Sequence, residues 1–452
     1  MAQSAIAIRG VLLHLIGDPF CQPITDCVRF WVDGLLVVEA GRIVAAGDYD
    51  ELRSRYTNVP VTHYPDKLIV PGLIDTHVHF PQTEMIASYG EQLLSWLERY
   101  TFPTEQKFSD RAYSLSVANH FLDELLRHGT TTALVFTTVY PQSTDAFFAA
   151  AQSRNLRMIA GKVLMDRHAP EALLDTPERA YQESKALIEK WHGTDRLLYA
   201  VTPRFAITST PAQLQAAGQL LKEFSGVYMH THLSENLDEM AWTAELFPGS
   251  AHYLDVYEQA GLVGKRSVFA HGVHLSAAEW QQLSACDCAI AHCPTSNTFL
   301  GSGLFSLQSA KKRDRPVKVG LGTDVGGGTN FSLLHTGGEA YKVAQLRKEA
   351  ITPFQALFLA TLGGAQALCL EHVLGNFALG KEADFVVLDP LATPTLAFRN
   401  RERVAALAKG AKRAVLLDKQ IEWLRSLVFS LLILADDRTV HATYIMGKKV
   451  EV

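Results

Sequence analysis

Two histidines in the run LIDTHVHF have a spacing that suits metal binding. His77 and His79 lie two residues apart in a stretch predicted to be a β-strand, so both side chains leave the same face. Their Cα atoms are then roughly 6.5 Å apart, and the two imidazoles can converge on one ion. The spacing alone is weak evidence, because 17 histidines in 452 residues give about 0.6 such pairs by chance.

Further side chains that can bind a metal stand at the ends of other predicted strands. They are His232 in MHTHLSE, His271 in FAHGVH, His292 in IAHCPTS and Asp324 in GLGTDVGG. Taken singly, each histidine has an ordinary explanation as a hydrogen-bonded core residue, and Asp324 as a turn former or helix N-cap. Their joint occurrence at strand ends favours a metal site.

Three nitrogen ligands and one carboxylate suit Zn²⁺ with a water molecule in the remaining position, and Fe²⁺ also accepts such ligands. An ion of this kind lowers the pKa of its water towards about 7, and a nearby carboxylate must then move the released proton. Glu235, three residues after His232, is the best candidate for that role. The alternative for Glu235 is a solvated acid that opens the following helix.

The elements that position these residues are predicted to be parallel strands. Continuous apolar runs alternate with helical patterns, as expected for strands buried on both faces, and eight such units fit a closed (β/α)8 TIM-like barrel. A doubly wound open sheet is the alternative. The polar residues gather at the carboxyl ends of the runs, where barrel active sites form, and no G-x-G-x-x-G follows the first run. The eight runs are LIVPGLIDTHVHF, TTTALVF, MIAGKVLMD, LLYAVTPRF, VYMHTHLSE, SVFAHGVHL, CAIAHCPTS and VKVGLGTDV.

The two ends of the chain are predicted to share a small composite β-sandwich domain, formed by residues 1–68 and 376–452, beside a barrel of residues 69–375. The first segment contains β-rich runs and is predicted to form a small antiparallel unit, with Asp33-Gly34 placed as a hairpin turn. The second contains DFVVLDP and ATYIMGKKVEV, separated by a helical stretch around 415–434. The apolar run SLVFSLLILA within that stretch has about half the roughly 20 residues needed to span a bilayer, which predicts a buried helix.

Composition argues against several classes of partner. Charged residues make up 20% of the chain and the formal net charge is -5, so no basic field is available for nucleic acid or anionic lipid. The six cysteines are scattered without a disulfide framework, and the first twenty residues lack the features of a signal peptide. These observations predict a cytoplasmic protein that acts on a small molecule.

Several longer motifs resemble the amidohydrolase superfamily. They are PGLIDTHVHFPQTEM, HTHLSEN, AHGVHLS, AHCPTSN and GLGTDVGGGT. A narrower resemblance, to the bacterial branch of the guanine deaminase family, rests on PQTEM, YGEQLLSWLERYTFPTE, TPRF and CPTSNTFLGSGLF. The similarity covers nearly the whole chain, up to the segment GNFALGKEADFVVLDP.

The resemblance implies a set of metal ligands and catalytic residues. Because the family pattern places a glutamate three residues after the ligand, it selects the second histidine of H-T-H, His232, over His230. Glu235 would move protons, His271 would orient the water that attacks, and Asp324 would accept the water's proton as well as bind metal. The implied ligands are His77, His79, His232 and Asp324.

The resemblance also implies hydrolysis of guanine to xanthine and ammonia. Gln82 and Arg204 would be hydrogen-bond partners of the purine, with Arg204 as a donor, and Phe205 would pack on the ring. An arginine fork matches the O6 and N7 edge of guanine, whereas adenine carries an amine at that position. The implied substrate contacts are His79, Gln82, Arg204, Phe205, His232, Glu235 and Asp324.

One metal ion per subunit and a homodimer are further expectations from the family. Relatives with two metals bridge them by a modified lysine at the end of strand four, where this chain has Thr202-Pro203-Arg204. Lys162 lies in the third predicted strand and is expected to be structural. The sequence leaves the choice between zinc and iron open.

Two other functions remain as alternatives. The chain could act on another ring, such as an aminotriazine, a pterin or an adenosine derivative, or it could be a non-catalytic barrel scaffold. The small cytidine-deaminase fold needs H-x-E and P-C-x-x-C, and neither is present.

The helical pattern at 89–102 is predicted to cover the site as a lid, with core packing as the alternative.

Overall fold

Runs of β-branched and other apolar residues form the strands of this protein. The structure is a computed structural model that describes residues 5–90, 92–410 and 417–451. Glu91 of the predicted lid and the first two residues of the predicted helical stretch at 415–434 lie outside these residues. The strands in chain order are β1 (Ile6–Leu15), β2 (Val28–Glu39), β3 (Arg42–Asp48), β4 (Val61–Pro71), β5 (Leu73–His79), β6 (Thr130–Phe136), β7 (Arg157–Gly161), β8 (Val163–Leu164), β9 (Leu198–Pro203), β10 (Tyr228–Leu233), β11 (Ser267–His271), β12 (Ala289–His292), β13 (Lys318–Leu321), β14 (Phe385–Leu388), β15 (Val440–Ile445) and β16 (Lys448–Lys449).

Helices connect the strands, and several begin with a proline whose fixed φ suits the first helical turn. The helices are α1 (Ile24–Cys27), α2 (Tyr49–Leu52), α3 (Leu93–Trp96), α4 (Phe102–Glu105), α5 (Arg111–Arg127), α6 (Pro141–Ser153), α7 (Pro177–Trp191), α8 (Pro211–Glu223), α9 (Leu237–Leu246), α10 (Tyr253–Gln259), α11 (Ala277–Ala285), α12 (Pro294–Phe299), α13 (Leu307–Ala310), α14 (Leu333–Leu346), α15 (Pro353–Leu359), α16 (Leu362–Ala367), α17 (Pro394–Gly410) and α18 (Leu417–Leu434).

The central sheet is a parallel barrel. Its strand order is β13-β12-β11-β10-β9-β7-β6-β5, and every one of the eight predicted runs supplies a strand. The first and last strands meet, because Thr76 Oγ1 donates to the Leu321 carbonyl at 2.9 Å and the Asp324 N–H donates to the His77 carbonyl at 2.9 Å. The predicted barrel is therefore confirmed, and the open doubly wound sheet is excluded.

A second sheet combines strands from both ends of the chain, as predicted. Its order is β16-β15-β14-β4-β1-β2-β3. Most neighbours are antiparallel, but β1 and β4 run parallel, so the expectation of a purely antiparallel N-terminal unit is wrong. The long connection through β2 and β3 returns the chain to the far side of β1 in the parallel direction. The domain boundaries at 68/69 and 375/376 stay a prediction.

The predicted hairpin turn at Asp33-Gly34 is wrong, because both residues lie inside β2. Asp33 accepts two hydrogen bonds from Arg9, and Gly34 faces Gly10, where an added Cβ would stand 2.5 Å from Leu12 Cγ. The turn between β2 and β3 uses Ala40-Gly41 instead, with φ angles of 48° and 77°. Consecutive positive φ angles suit a tight two-residue hairpin.

The C-terminal segment contains two helices where a single helical stretch was expected. Helices α17 and α18 pack against each other, and Asn400 exchanges hydrogen bonds with Ser430 between them. The apolar run in α18 is buried on one face, at Leu427 and Leu431. No helix in the described part of the chain combines the length and the apolar character that a membrane span requires.

A buried ion-pair network joins the barrel to the second sheet. Glu382 accepts hydrogen bonds from Arg157 at 2.5 Å and from Arg196 at 2.8 Å, and Asp384 also contacts Arg196. All four side chains are at most 10% exposed. The network lies at the amino ends of β7, β9 and β14, away from the carboxyl ends of the barrel strands.

Candidate metal and active site

Three imidazoles converge at the carboxyl end of the barrel. His77 and His79 come from the last residues of β5, and His232 comes from β10. His79 Nε2 lies 3.2 Å from His77 Nε2 and 3.3 Å from His232 Nε2. The ligand atoms of these three residues all lie within 4.8 Å of one another. The structure thus brings together the three histidines expected to bind metal.

Asp324 completes the cluster from the segment that follows β13. Its Oδ1 atom lies 3.1 Å from His77 Nε2 and 3.3 Å from His79 Nε2. Four ligands at 2.0–2.1 Å around a tetrahedral ion would be separated from one another by about 3.3 Å. The distances of His79 to His77 and His232 and of Asp324 to His77 and His79, 3.1–3.3 Å, agree with that value, so the residues fit a zinc-like ion.

Neighbouring groups turn the lone pairs of the ligands towards the centre of the cluster. The Nδ1–H group of His232 donates to the Arg204 carbonyl at 2.7 Å, which leaves Nε2 free to bind. His77 Nδ1 lies 2.7 Å from His230 Nε2, so a hydrogen on Nδ1 again leaves Nε2 as the ligand. His230, the ambiguous member of H-T-H, therefore supports His77, whereas His232 stands among the candidate ligands.

The charge state of the cluster also suits metal binding. Burial lowers the pKa of His79 to about 3 and the pKa of His232 well below its ordinary value, so both imidazoles are neutral. Burial opposes ionisation of Asp324, but His77 and His79 outweigh it and hold the pKa of this carboxyl well below its usual range. Neutral imidazoles and an ionised carboxylate are the forms that bind a cation.

Asp75 ties the two ligand-bearing ends of β5 and β13 together. Its Oδ1 atom accepts from the backbone N–H groups of His77 and Thr323, both at 3.1 Å, and Oδ2 accepts from the Thr323 hydroxyl. Asp75 is fully buried, and this burial raises its pKa to about 7. Asp75 was not among the residues predicted from the sequence, although it precedes His77 by two residues in the motif.

Glu235 lies buried beside the cluster, so the explanation as a solvated acid is wrong. The cap of α9 is Asn236, and Glu235 is only 2% exposed. One carboxylate oxygen accepts from the Ser302 hydroxyl at 3.2 Å, and the other is 3.4 Å from His271 Nε2. Burial, together with the negative charge of Asp324, raises the pKa of Glu235 to about 8, which keeps a proton on this carboxyl at neutral pH.

His271 is held in one tautomer by a side chain that the sequence analysis missed. Its Nδ1–H group donates to Asn297 Oδ1 at 2.8 Å, because an amide oxygen can only accept. His271 Nε2 then faces Glu235 and lies 3.8 Å from Asp324 Oδ2. Asn297 is fully buried and belongs to the motif CPTSN, which was the available signal. His292 lies apart from this group and stacks on Phe305.

A cavity with about 390 Å³ of space between its lining atoms opens onto the cluster. Every side chain expected to contact the substrate lines it. The segment of the predicted lid contributes Leu93, Trp96 and Leu97 to the wall, and the same side chains pack in a buried apolar cluster with Phe205, as the core-packing alternative expects. The mobility of this segment stays a prediction. The lining residues are His79, Gln82, Leu93, Trp96, Leu97, Arg204, Phe205, His232, Glu235, His271, Leu300, Asp324 and Gly327.

The polar wall of the cavity is formed by Gln82 and Arg204. Gln82 Oε1 accepts from the Gly326 N–H at 3.1 Å, and its Nε2 lies 3.4 Å from a carboxylate oxygen of Glu105. Arg204 follows β9 and is 2% exposed, with Phe205 beside it at 4%. Buried amide and guanidinium donors next to an aromatic ring can recognise a planar heterocycle that carries acceptors on one edge.

Lys162 takes no part in the site. It is fully buried, contacts Asp175, and its Nζ lies 3.3 Å from Glu183 Oε2. The fourth barrel strand, β9, ends at Pro203, so the lysine that would bridge two metals is missing from the expected place. This arrangement agrees with the expectation of a structural lysine.

With its barrel and its buried ligand cluster, the chain belongs to the amidohydrolase family, whose sequence profile matches residues 68–450. Within that family it belongs with the guanine deaminases. It is 48% identical to guanine deaminase of Escherichia coli (strain K12) over 448 residues, which cover 98% of this chain and 97% of that protein. A solved structure of E. coli guanine deaminase aligns with a TM-score of 0.92 over 99% of each chain, and guanine deaminase from Bradyrhizobium japonicum, 38% identical, aligns with a TM-score of 0.94 over 99% of each.

Proposed function

We propose that this protein hydrolyses guanine to xanthine and ammonia. The observation that carries the proposal is a cavity lined by His79, His232 and Asp324 of the ligand cluster, by the buried acid Glu235 and by Arg204. The high identity to E. coli guanine deaminase over the full length supports the same substrate.

Binding would orient the purine ring by its polar edge and its face. Arg204 donates to O6 and N7, Gln82 donates or accepts on the same wall, and Phe205 packs on the ring. These contacts turn C2 towards His79, His232 and Asp324. An amine at C6 would put donors against the Arg204 donors, so adenine is disfavoured.

A divalent ion held by His77, His79, His232 and Asp324 would lower the pKa of a water molecule towards about 7, so that it attacks at neutral pH. Glu235 protonates N3 of the ring while the water oxygen bonds to C2, and Asp324 takes the proton that the water gives up. His271 orients the attacking water and stabilises the charge that develops. Asp324 then passes this proton to the exocyclic nitrogen, the C2–N bond breaks and ammonia leaves. The hydroxyl on C2 returns its proton to Glu235, which forms the C2 carbonyl of xanthine.

The test is incubation of guanine with the purified protein, followed by the ultraviolet spectrum and by ammonia release. We expect xanthine and ammonia in equal amounts. Parallel incubations with adenosine, an aminotriazine and a pterin test the alternative rings. Turnover of one of these without turnover of guanine would replace the proposal, and inactivity on all of them between pH 6 and 9 would favour a non-catalytic scaffold.

We also propose one zinc ion per subunit, with iron as the alternative. The support is the short distances that His79 makes to His77 and His232 and that Asp324 makes to His77 and His79, together with the missing lysine on β9. Elemental analysis should find one equivalent of metal per chain, and a chelator should abolish activity until zinc or iron is restored. Two equivalents per chain would contradict the single-ion proposal.

Three coarser features complete the proposal. We propose a cytoplasmic enzyme of purine catabolism or salvage, in keeping with six cysteines that are all free. A homodimer is proposed from the family resemblance, and light scattering of the purified protein would test it. The substrate is a small molecule, with no nucleic acid and no membrane as partner.

A further inference from the structure

A buried glutamate lies directly behind the polar wall of the cavity. Glu105, the last residue of α4, is fully buried and does not line the cavity itself. Arg204 Nη1 donates to both carboxylate oxygens of Glu105, at 3.0 and 2.9 Å, and Gln82 Nε2 donates to one of them at 3.4 Å. One carboxylate therefore contacts both side chains that form the wall.

These contacts determine which donors face the cavity. The hydrogen bonds that Arg204 donates within the described residues come from Nη1, which leaves its Nε–H and Nη2–H groups available to a ligand in the cavity that Arg204 lines. Gln82 is held from both ends, because its oxygen accepts from Gly326 while its nitrogen donates to Glu105. The second hydrogen on Gln82 Nε2 is thereby left for an acceptor in the cavity.

A purely structural ion pair is the alternative explanation. Burying two charges costs desolvation energy that apolar packing would avoid, so a buried pair is weak evidence of a stabilising role. Here the pair stands at the wall of the cavity and shares its carboxylate with a neutral amide of the same wall. A positioning role accounts for both contacts.

We propose that Glu105 is a positioning residue that selects 6-oxopurines, by holding Arg204 and Gln82 as aligned donors to the carbonyl edge of the ring. The inference rests on the proposed function and deepens it. It predicts that the contribution of O6 to recognition depends on Glu105, even though this residue does not touch the substrate.

The test compares guanine with 2-aminopurine, which carries the same amine at C2 but lacks O6. Both are measured with Glu105→Gln, which preserves the shape and removes the charge. Loss of one charge-assisted hydrogen bond to O6 should lower the ratio of kcat/KM for guanine to that for 2-aminopurine by about 10- to 100-fold. We expect kcat/KM for guanine to fall by that factor, mainly through KM, while the value for 2-aminopurine changes by less than about threefold. If 2-aminopurine is not turned over, its inhibition constant against guanine serves the same purpose.

Glu382→Gln is the matched control, because it also removes a buried carboxylate that pairs with two side chains, far from the cavity. It should lower Tm without changing the preference for guanine. Glu105→Asp keeps the charge but moves it away from Arg204 and Gln82 by the length of one methylene group. It should also lower the preference for guanine over 2-aminopurine. This variant provides the test if Glu105→Gln does not fold.

The outcomes separate this inference from the proposed function. A wild-type protein that does not deaminate guanine overturns the proposed function. A wild-type protein that does so, with variants of Glu105 that retain its preference or lose activity on both purines equally, overturns the positioning role alone.

Discussion

Replacement of Glu235 by glutamine separates proton transfer from metal binding. The carboxyl accepts from Ser302 at 3.2 Å and faces His271 Nε2 at 3.4 Å, and an amide of the same shape can keep both contacts. Glu235 belongs to neither group of candidate metal ligands found among the described residues. The substitution therefore leaves the ligands and the packing of the cavity in place.

The expected loss follows from what the amide cannot do. Glutamine cannot exchange a proton with the ring, and general acid–base catalysis typically contributes 10²- to 10⁴-fold, or about 3–5 kcal/mol of activation free energy. We expect kcat to fall by about that factor. KM should stay within about threefold, because Arg204, Gln82 and Phe205 are unchanged.

Steady-state deamination of guanine and elemental analysis of the same preparation measure both quantities. His232→Ala is the comparison, since it removes a candidate ligand and should lose metal and activity together. If Glu235→Gln came without its metal, the residue would be a ligand and the proposed set would be wrong. A variant that retained a rate within about tenfold of wild type would show that another group moves the proton.

Three further predictions concern residues around the cluster. Asn297→Ala removes the acceptor that holds the His271 tautomer, so activity should fall by about 10- to 100-fold with the metal retained, as checked by kinetics and elemental analysis. Phe205→Leu removes aromatic stacking that contributes about 1–3 kcal/mol per base, so KM for guanine should rise while kcat changes little. Gly328→Ala would place a Cβ 1.8 Å from the Thr323 carbonyl oxygen, and this clash must displace the segment that carries Asp324. We expect the variant to bind metal weakly when the apoprotein is titrated, and wild-type affinity would contradict this prediction.

The barrel strands were predictable from the sequence because burial on both faces leaves a local mark. A parallel strand covered by helices must be apolar along its length, and each of the eight runs, such as TTTALVF in β6, shows this. The candidate ligands were predictable for a related reason. Polar side chains that end apolar strands, such as His271 and Asp324, stand out against their surroundings, and the family motifs assigned their roles.

Long-range pairing within the second sheet was less accessible. The dipeptide Asp33-Gly34 has the composition of a hairpin turn, but the partner strand β1 continues alongside it, and the Arg9 ion pair keeps it within β2. Local composition does not reveal which strand lies opposite. The parallel pairing of β1 with β4 could not be predicted either, because it depends on contacts between segments that are distant in the sequence.

By itself, the sequence determined the class of fold, the candidate metal ligands and the family, because apolar periodicity, residue type and motif spacing are local properties. Only the tertiary structure decided how the side chains support one another. Three supporting hydrogen bonds join residues that are far apart in the chain. Glu105 and Arg204 are separated by 99 positions, Asn297 and His271 by 26, and Asp75 and Thr323 by 248. Hydrogen bonds across such separations form only when the barrel closes, so a local sequence pattern cannot predict which residues they join.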